Sequence, residues 1–327
     1  MNDPDPTTSS AGSSPGKRWG LRRLADSSGR FAMLAADQRP PIMAMIAART
    51  GRPADFAAIA QAKRLLIEAL AVEASAVLVD PVWGYSASAP HLRPDRGLIV
   101  TLEAHDYTET PAGRRSASIP GWSAERIRRL GADAVKVLAW FRPDADASVI
   151  GHQSAYVADC AEQCRREDIP FVFELLTYPL GTGGAANYDA DPARRPEHVL
   201  ASVRHFADPA YGVDLWKLES PLPSDSLPDP DSKEAVAAQR WFDAVGLACK
   251  APWVLLSGGA TPERFARTLT YACRAGASGF LAGRSVWADC FDAFPDSHVV
   301  ATRLRAVAAP RLRAMAEQIS RQARAAF

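Results

Sequence analysis

The chain has 327 residues, 47% hydrophobic and 23% charged, the balance of a globular protein with a large core. Its formal net charge of +1 gives no field that would draw it to nucleic acid or to an anionic membrane surface. No apolar run is long enough to span a bilayer, and the five cysteines (Cys160, Cys164, Cys249, Cys273, Cys290) form no C-x-x-C pair; a zinc ribbon and a disulfide framework are disfavoured, and reduced thiols in the cytoplasm are expected.

The opening stretch, MNDPDPTTSSAGSSPGKR, is rich in Pro, Ser, Gly and Asp and lacks the apolar segment of a secretory signal. Residues 1–17 are expected to be a disordered tail ahead of one domain over residues 18–327. From Phe31 onward, short apolar runs alternate with helical patterns. The runs are Phe31–Asp37, Ala76–Pro81, Gly97–Glu103, Ala134–Trp140, Phe171–Thr177, Leu215–Ser220, Trp253–Gly259 and Gly279–Arg284. They are continuous rather than alternating, as strands covered on both faces must be. Helices are expected at Asp55–Val72, Ser123–Leu130, Gln153–Glu167, Glu197–Phe206, Ser232–Cys249 and Pro262–Ala275, the last opened by a Thr261 cap with proline behind it. A final helical region, Val300–Ala325, is interrupted by Pro310. Tyr107–Gly121, where a third helix is due, shows no helical pattern. Eight strands with repeated βα alternation, and no G-x-G-x-x-G after the first, favour a closed (β/α)8 TIM barrel of the α/β class over a doubly wound sheet.

In such a barrel, chemistry gathers at the C-terminal strand ends, and a polar group inside a buried strand is costly unless it is used. That rule selects Asp37, Lys136, Glu174, Lys217 and two glycine-containing strand ends. Only six of the 38 basic residues are lysines (Lys17, Lys63, Lys136, Lys217, Lys233, Lys250), so a lysine in an apolar run is notable. In Leu215-Trp216-Lys217-Leu218-Glu219 the period of two sends the bulky Trp216 and Leu218 to the helix layer and Lys217 into the barrel. Lys217 is therefore a candidate nucleophile, or else one half of an interior ion pair with Glu219. Lys136 is buried by the same logic. Two ammonium groups in one interior depress each other's pKa, which would activate one of them; the alternative for Lys136 is a structural or phosphate-binding cation. Glu174 lies on the strand between those of the two lysines, where it can move protons or simply neutralise them. Asp37, followed by Gln38 and Arg39, can hold substrate hydroxyls or cap the next helix. Ser257-Gly258-Gly259 and Gly283-Arg284 follow the seventh and eighth strands, where this fold commonly binds phosphate. Gly181-Thr182-Gly183-Gly184 is not a Walker loop and reads as a mobile loop above the barrel. The six histidines form no zinc-binding pattern.

Those residues carry a resemblance. FAMLAADQR (31–39), AVKVLAWFR (134–142), FELLTY (173–178), LWKLESPLP (215–223), and PWVLLSGG through AGASGFLAGRSVW (252–287) are similar to the tagatose-bisphosphate aldolase family and its sulfofructose-phosphate aldolase branch. The resemblance implies a metal- and cofactor-free class I aldolase that releases glycerone phosphate from a sugar phosphate. Lys217 would form the Schiff base. Asp37, Gln38, Lys136 and Glu174 would surround the ketose hydroxyls and the imine. Ser257, Gly258, Gly259, Gly283 and Arg284 would bind the 1-phosphate. For the far end of the sugar, Arg39, Arg194 and Arg195 are the local anion-binding candidates. FELLTY is closer to the tagatose branch and the C-terminal third to the sulfosugar branch; a tagatose 1,6-bisphosphate-like substrate is expected, with 6-deoxy-6-sulfofructose 1-phosphate as the alternative. A sugar-phosphate sensor without turnover is the reading of another class. A homo-oligomer is left open.

Overall fold

Strands sheathed by helices outside and by one another's side chains inside need apolar residues at every position, and all eight runs become such strands. The computed structural model describes residues 14–179 and 193–327. In chain order its elements are α1 (Pro15–Leu24), β1 (Phe31–Ala36), α2 (Pro40–Thr50), α3 (Phe56–Leu70), β2 (Ala76–Val79), α4 (Gly84–Ser88), β3 (Gly97–Thr101), β4 (Thr108–Thr110), β5 (Gly113–Arg115) and α5 (Ala124–Arg129). They continue with β6 (Ala134–Trp140), α6 (Ala147–Arg166), β7 (Phe171–Leu176), α7 (Arg195–Phe206), β8 (Leu215–Leu218), α8 (Ala235–Ala248), β9 (Trp253–Leu256), α9 (Pro262–Arg274), β10 (Gly279–Ala282), α10 (Arg284–Trp287), α11 (Ser297–Arg303) and α12 (Ala309–Gln322). The barrel closes in the order β1-β10-β9-β8-β7-β6-β3-β2, with every neighbouring pair parallel.

The pleat divides the core in two. Phe31, Met33 and Ala35 of β1 join an interior cluster with Leu78, Ile99, Val172, Leu215, Val254 and Leu281. Ala32, Leu34 and Ala36 join the outer cluster under the helices. Trp216 and Leu218 also belong to the outer cluster and Leu215 to the inner one, so Lys217 lies on the interior face, as its spacing requires. Asp55 caps α3 by accepting from Ala58 N, and Thr261 caps α9 by accepting from Arg264 N, with Pro262 in the first turn.

The expected tail boundary at residue 17 moves. Pro15, Gly16 and Lys17 form the first turn of α1, which lies across the N-terminal end of the barrel; residues 1–13 lie outside the described residues. Leu21 and Leu24 pack into the interior cluster, and Lys17 Nζ contacts Asp214, just ahead of β8, at 2.7 Å. Gly20 is required by close approach: a Cβ there would come 2.5 Å from the Asp133 carbonyl. Low hydrophobicity read these residues as tail; the apolar face that orders them begins four residues later, at Leu21.

Tyr107–Gly121 forms no helix. It holds the β4–β5 hairpin, paired Thr108↔Arg115 and Thr110↔Gly113, and Glu103 bridges to Ser118 beneath it. The turn needs Gly113, whose φ is +136° and whose missing Cβ would strike the Tyr178 hydroxyl. The helical share of this unit is the short α5, capped by Ser123. Helix α6 begins at Ala147, earlier than the expected Gln153, because Asp146 caps it through Ser148 N. The last helical region runs through a five-residue π turn, Leu304–Ala308, into α12, with Pro310 in that helix's first turn.

Candidate active site

At the C-terminal mouth the strand ends deliver a buried network of opposite charges. Lys136 of β6 lies directly opposite Thr101 of β3, and Glu174 of β7 lies directly opposite Lys217 of β8. Glu174 Oε2 is shared: it lies 2.6 Å from Lys136 Nζ and 2.9 Å from Lys217 Nζ. Lys136 Nζ also lies 2.9 Å from Asp37 Oδ2 and 2.7 Å from Glu103 Oε1. Lys217 therefore pairs with Glu174, not with Glu219; Glu219 accepts from Thr177 and from Arg195 at 2.7 Å.

This geometry corrects the expected mutual depression of the two lysines where Lys136 is concerned. Burial alone would lower its pKa, but Asp37, Glu103 and Glu174 outweigh burial and hold it well above the usual lysine value, as an ammonium. The carboxylates respond in kind. Burial would raise Asp37, but Lys136, Lys217 and Arg39 hold it well below the usual range. Glu174 is lowered against burial by Lys136 and Lys217.

Glu103 was not singled out in the sequence, although the rule that selects Asp37 selects it equally: it stands at the end of the third apolar run. It is 2% exposed. Oε1 receives Lys136 and Arg39 Nη2 at 3.0 Å; Oε2 receives Thr101 Oγ1 and, at 3.1 Å, Leu138 N. Arg39, expected at the far end of the substrate, is instead buried and turned onto Glu103; its Nη1 donates to the Glu103 carbonyl at 2.8 Å. Arg194 lies 3.7 Å from Asp144 and Arg195 is engaged by Glu219. Residues 181–184 lie outside the described residues.

The two glycine-containing ends meet beside this network. Gly283 N donates to Ser257 Oγ at 3.3 Å. The Arg284 guanidinium lies over Gly259, whose φ is +83° and whose added Cβ would stand 3.5 Å from Arg284 Cζ. Burial lowers the Arg284 pKa, while Glu174 and Asp37 act in the opposite direction. Gln38 reaches the same place: a Cβ on Gly283 would lie 2.6 Å from its Nε2, and its Oε1 is a buried acceptor with no partner among the described residues. The structure thus assembles Asp37, Gln38, Lys136, Glu174, Lys217, Ser257, Gly258, Gly259, Gly283 and Arg284 around one mouth. The hairpin walls it on one side, where the Arg114 guanidinium lies 4.7 to 5.0 Å from the ring centres of Tyr107, Trp140 and Tyr178. Among the described residues, no helix is long and apolar enough to cross a membrane.

Known proteins resemble the chain in sequence and in fold. The family model described as DeoC/LacD family aldolase matches residues 31–289. Tagatose 1,6-diphosphate aldolase 1 of Streptococcus mutans is 32% identical over 83% of this chain and 85% of its own length. Tagatose 1,6-diphosphate aldolase of Listeria monocytogenes is 33% identical over 85% of this chain and 83% of its own. Among solved structures, an archaeal fructose 1,6-bisphosphate aldolase superposes with a TM-score of 0.59 at 20% identity, over 92% of this chain and 98% of that one. The fructose-bisphosphate aldolase of Plasmodium falciparum superposes with a TM-score of 0.65 at 14% identity, over 94% of each chain. Those two share the barrel; the sequence relatives and the family model carry the assignment. The chain belongs to the DeoC/LacD aldolase family and is a carbon–carbon lyase of class I.

Proposed function

We propose that this aldolase cleaves a tagatose 1,6-bisphosphate-like ketose to glycerone phosphate and an aldehyde, through a Schiff base on Lys217. The observation that carries this reading is Glu174 Oε2 lying 2.9 Å from Lys217 Nζ while also tied to Lys136. A carboxylate at that distance can take the proton that Lys217 must lose before it attacks. Lys136 is unsuited to attack because three carboxylates hold it charged; its work is to fix Glu174 and Asp37.

The neutral Lys217 nitrogen adds to the C2 ketone. Glu174 returns a proton to the resulting hydroxyl, which leaves as water and gives the iminium. Glu174, again a carboxylate, takes the C4 hydroxyl proton; the C3–C4 bond breaks, and its electron pair passes into the iminium to form an enamine. The aldehyde departs, the enamine is protonated at C3, and water hydrolyses the iminium to free glycerone phosphate. Each acid–base step contributes about 10²–10⁴-fold. Asp37 and Gln38 hold the ketose hydroxyls. Ser257, Gly258, Gly259, Gly283 and Arg284 receive the 1-phosphate, where glycine lets the backbone approach and arginine offers paired donors. The relatives named as tagatose 1,6-diphosphate aldolases support the substrate class, and free cysteines among the described residues fit a cytoplasmic location.

Borohydride added with glycerone phosphate should trap one adduct, mapped by peptide mass spectrometry to Lys217. An adduct on Lys136, or none with an active enzyme, overturns the assignment. Side-by-side kcat/KM for tagatose 1,6-bisphosphate, fructose 1,6-bisphosphate and 6-deoxy-6-sulfofructose 1-phosphate ranks the substrates. A sulfosugar ahead by more than about tenfold, or roughly 1.4 kcal/mol, replaces the bisphosphate.

A further inference from the structure

Two of the six lysines are buried on helices outside the barrel interior, Lys17 of α1 and, more deeply, Lys63 of α3. Lys63, on α3, is completely buried, as is Asp80 at the end of β2. Its Nζ lies 2.6 Å from Asp80 Oδ1 and donates to two backbone carbonyls, Ala36 O at 2.7 Å and Gln38 O at 2.8 Å. Those carbonyls belong to the peptide groups on either side of the Asp37–Gln38 pair. Ala36 is the last residue of β1, and α2 opens with Pro40 and Pro41, neither of which can donate a backbone hydrogen bond. The bend carrying Asp37 and Gln38 thus has no ladder of its own, and one ammonium supplies what the strand and helix do not. Asp80 is fixed in turn: its Oδ2 accepts from Val82 N at 3.1 Å and Trp83 N at 2.8 Å. The backbone there is bare enough to let this happen, since a Cβ on Gly84 would come 2.9 Å from Asp80 Oδ1.

A buried ion pair replaced by apolar groups of similar volume is often neutral for stability, so stability alone is weak reason to keep one here. What this pair does that an apolar pair could not is grip two carbonyls that bracket two side chains of the site. Three oxygens converge on a single nitrogen, which a tetrahedral ammonium satisfies and a planar guanidinium does not. We infer that Lys63 is a positioning residue of the aldolase: held by Asp80, it sets the backbone that presents Asp37 and Gln38 to the substrate. This inference rests on the proposed aldolase reading of the same mouth.

The test uses the full chain with two changes. Lys63→Met combined with Asp80→Asn removes both charges together. Lys63→Arg keeps a cation beside Asp80, so that one variant serves if the other does not fold. Active sites are counted by borohydride trapping with glycerone phosphate, and kcat and KM for tagatose 1,6-bisphosphate are expressed per trapped site. A purely structural role would lower the melting temperature and the count of sites but leave kcat/KM per site unchanged. The expected result is a loss of about tenfold or more in kcat/KM per site in each folded variant, the scale of a small misplacement of positioned groups. A smaller loss in a folded variant overturns the inference. If the wild-type enzyme turns over yet traps nothing on Lys217, it is the Schiff-base reading that fails, and the two failures are told apart.

Discussion

Replacing Glu103 with glutamine tests whether the charge network is built around its carboxylates. All four groups on the Glu103 side chain are donors: Lys136 and Arg39 on Oε1, Thr101 Oγ1 and Leu138 N on Oε2. A glutamine keeps one acceptor oxygen but turns an NH2 group toward one pair of donors. The substitution also leaves Arg39 and Lys136 short of a negative charge, at side chains 7% and 1% exposed. Removing one partner of a buried pair costs about 3–5 kcal/mol, mostly because the other charge remains buried. Unfolding entropy of about 2.1 cal/mol/K per residue gives roughly 0.7 kcal/mol/K over 327 residues, so the melting temperature should fall by about 4–7 °C. Thermal unfolding by calorimetry, with cleavage kinetics on the same preparations, measures both consequences. Activity should fall as well, since Lys136 loses one of the three carboxylates that orient it. A melting temperature within about 1 °C of wild type with unchanged kcat/KM would falsify the picture of an interlocked site.

Two other predictions follow from the same residues. Arg284→Ala should raise KM for substrates carrying a 1-phosphate while leaving the fold intact, at a cost of about 1.5–3 kcal/mol for a charge-assisted bond; unchanged kinetics in a coupled assay would place the phosphate elsewhere. The pH dependence has a definite sign. Asp37 and Glu174 titrate lower in the folded state, so their contribution is present above the unfolded values of about 3.9 and 4.3 and is lost as pH falls through the folded values. Lys136 titrates higher when folded, so its contribution is present below about 10.4 and is lost as pH rises beyond that. Urea unfolding should show the stability gap between wild type and Asp37→Asn constant near neutrality and shrinking below about pH 4; a gap that holds steady down to pH 3 contradicts the assignment.

The residues differ in how far the sequence alone exposed them, and the reason is range. The eight strands were legible because burial on both faces demands apolar residues in an unbroken run, a local property. Lys217 was legible for the same reason: two bulky neighbours at a period of two leave one direction for the side chain between them. The β4–β5 hairpin announced itself only as a missing helix, because three-residue strands carry almost no periodic signal. The first turn of α1 was lost to a tail-like composition, since the contacts that order it, Asp214 and the barrel floor, lie far along the chain. The charge on Lys136 was beyond the sequence altogether. Its strand shows a lysine among apolar residues and cannot say that Asp37, 99 residues before it, and Glu103, 33 before it, converge on the same nitrogen. Likewise nothing along the chain assigns a partner to a helical lysine at position 63; closure of the barrel puts the carbonyls of Ala36 and Gln38 within its reach. The local pattern determined which side chains face inward; only the closed barrel decided which of them pair as ions, because electrostatic partners are chosen by distance in space and not by spacing along the chain.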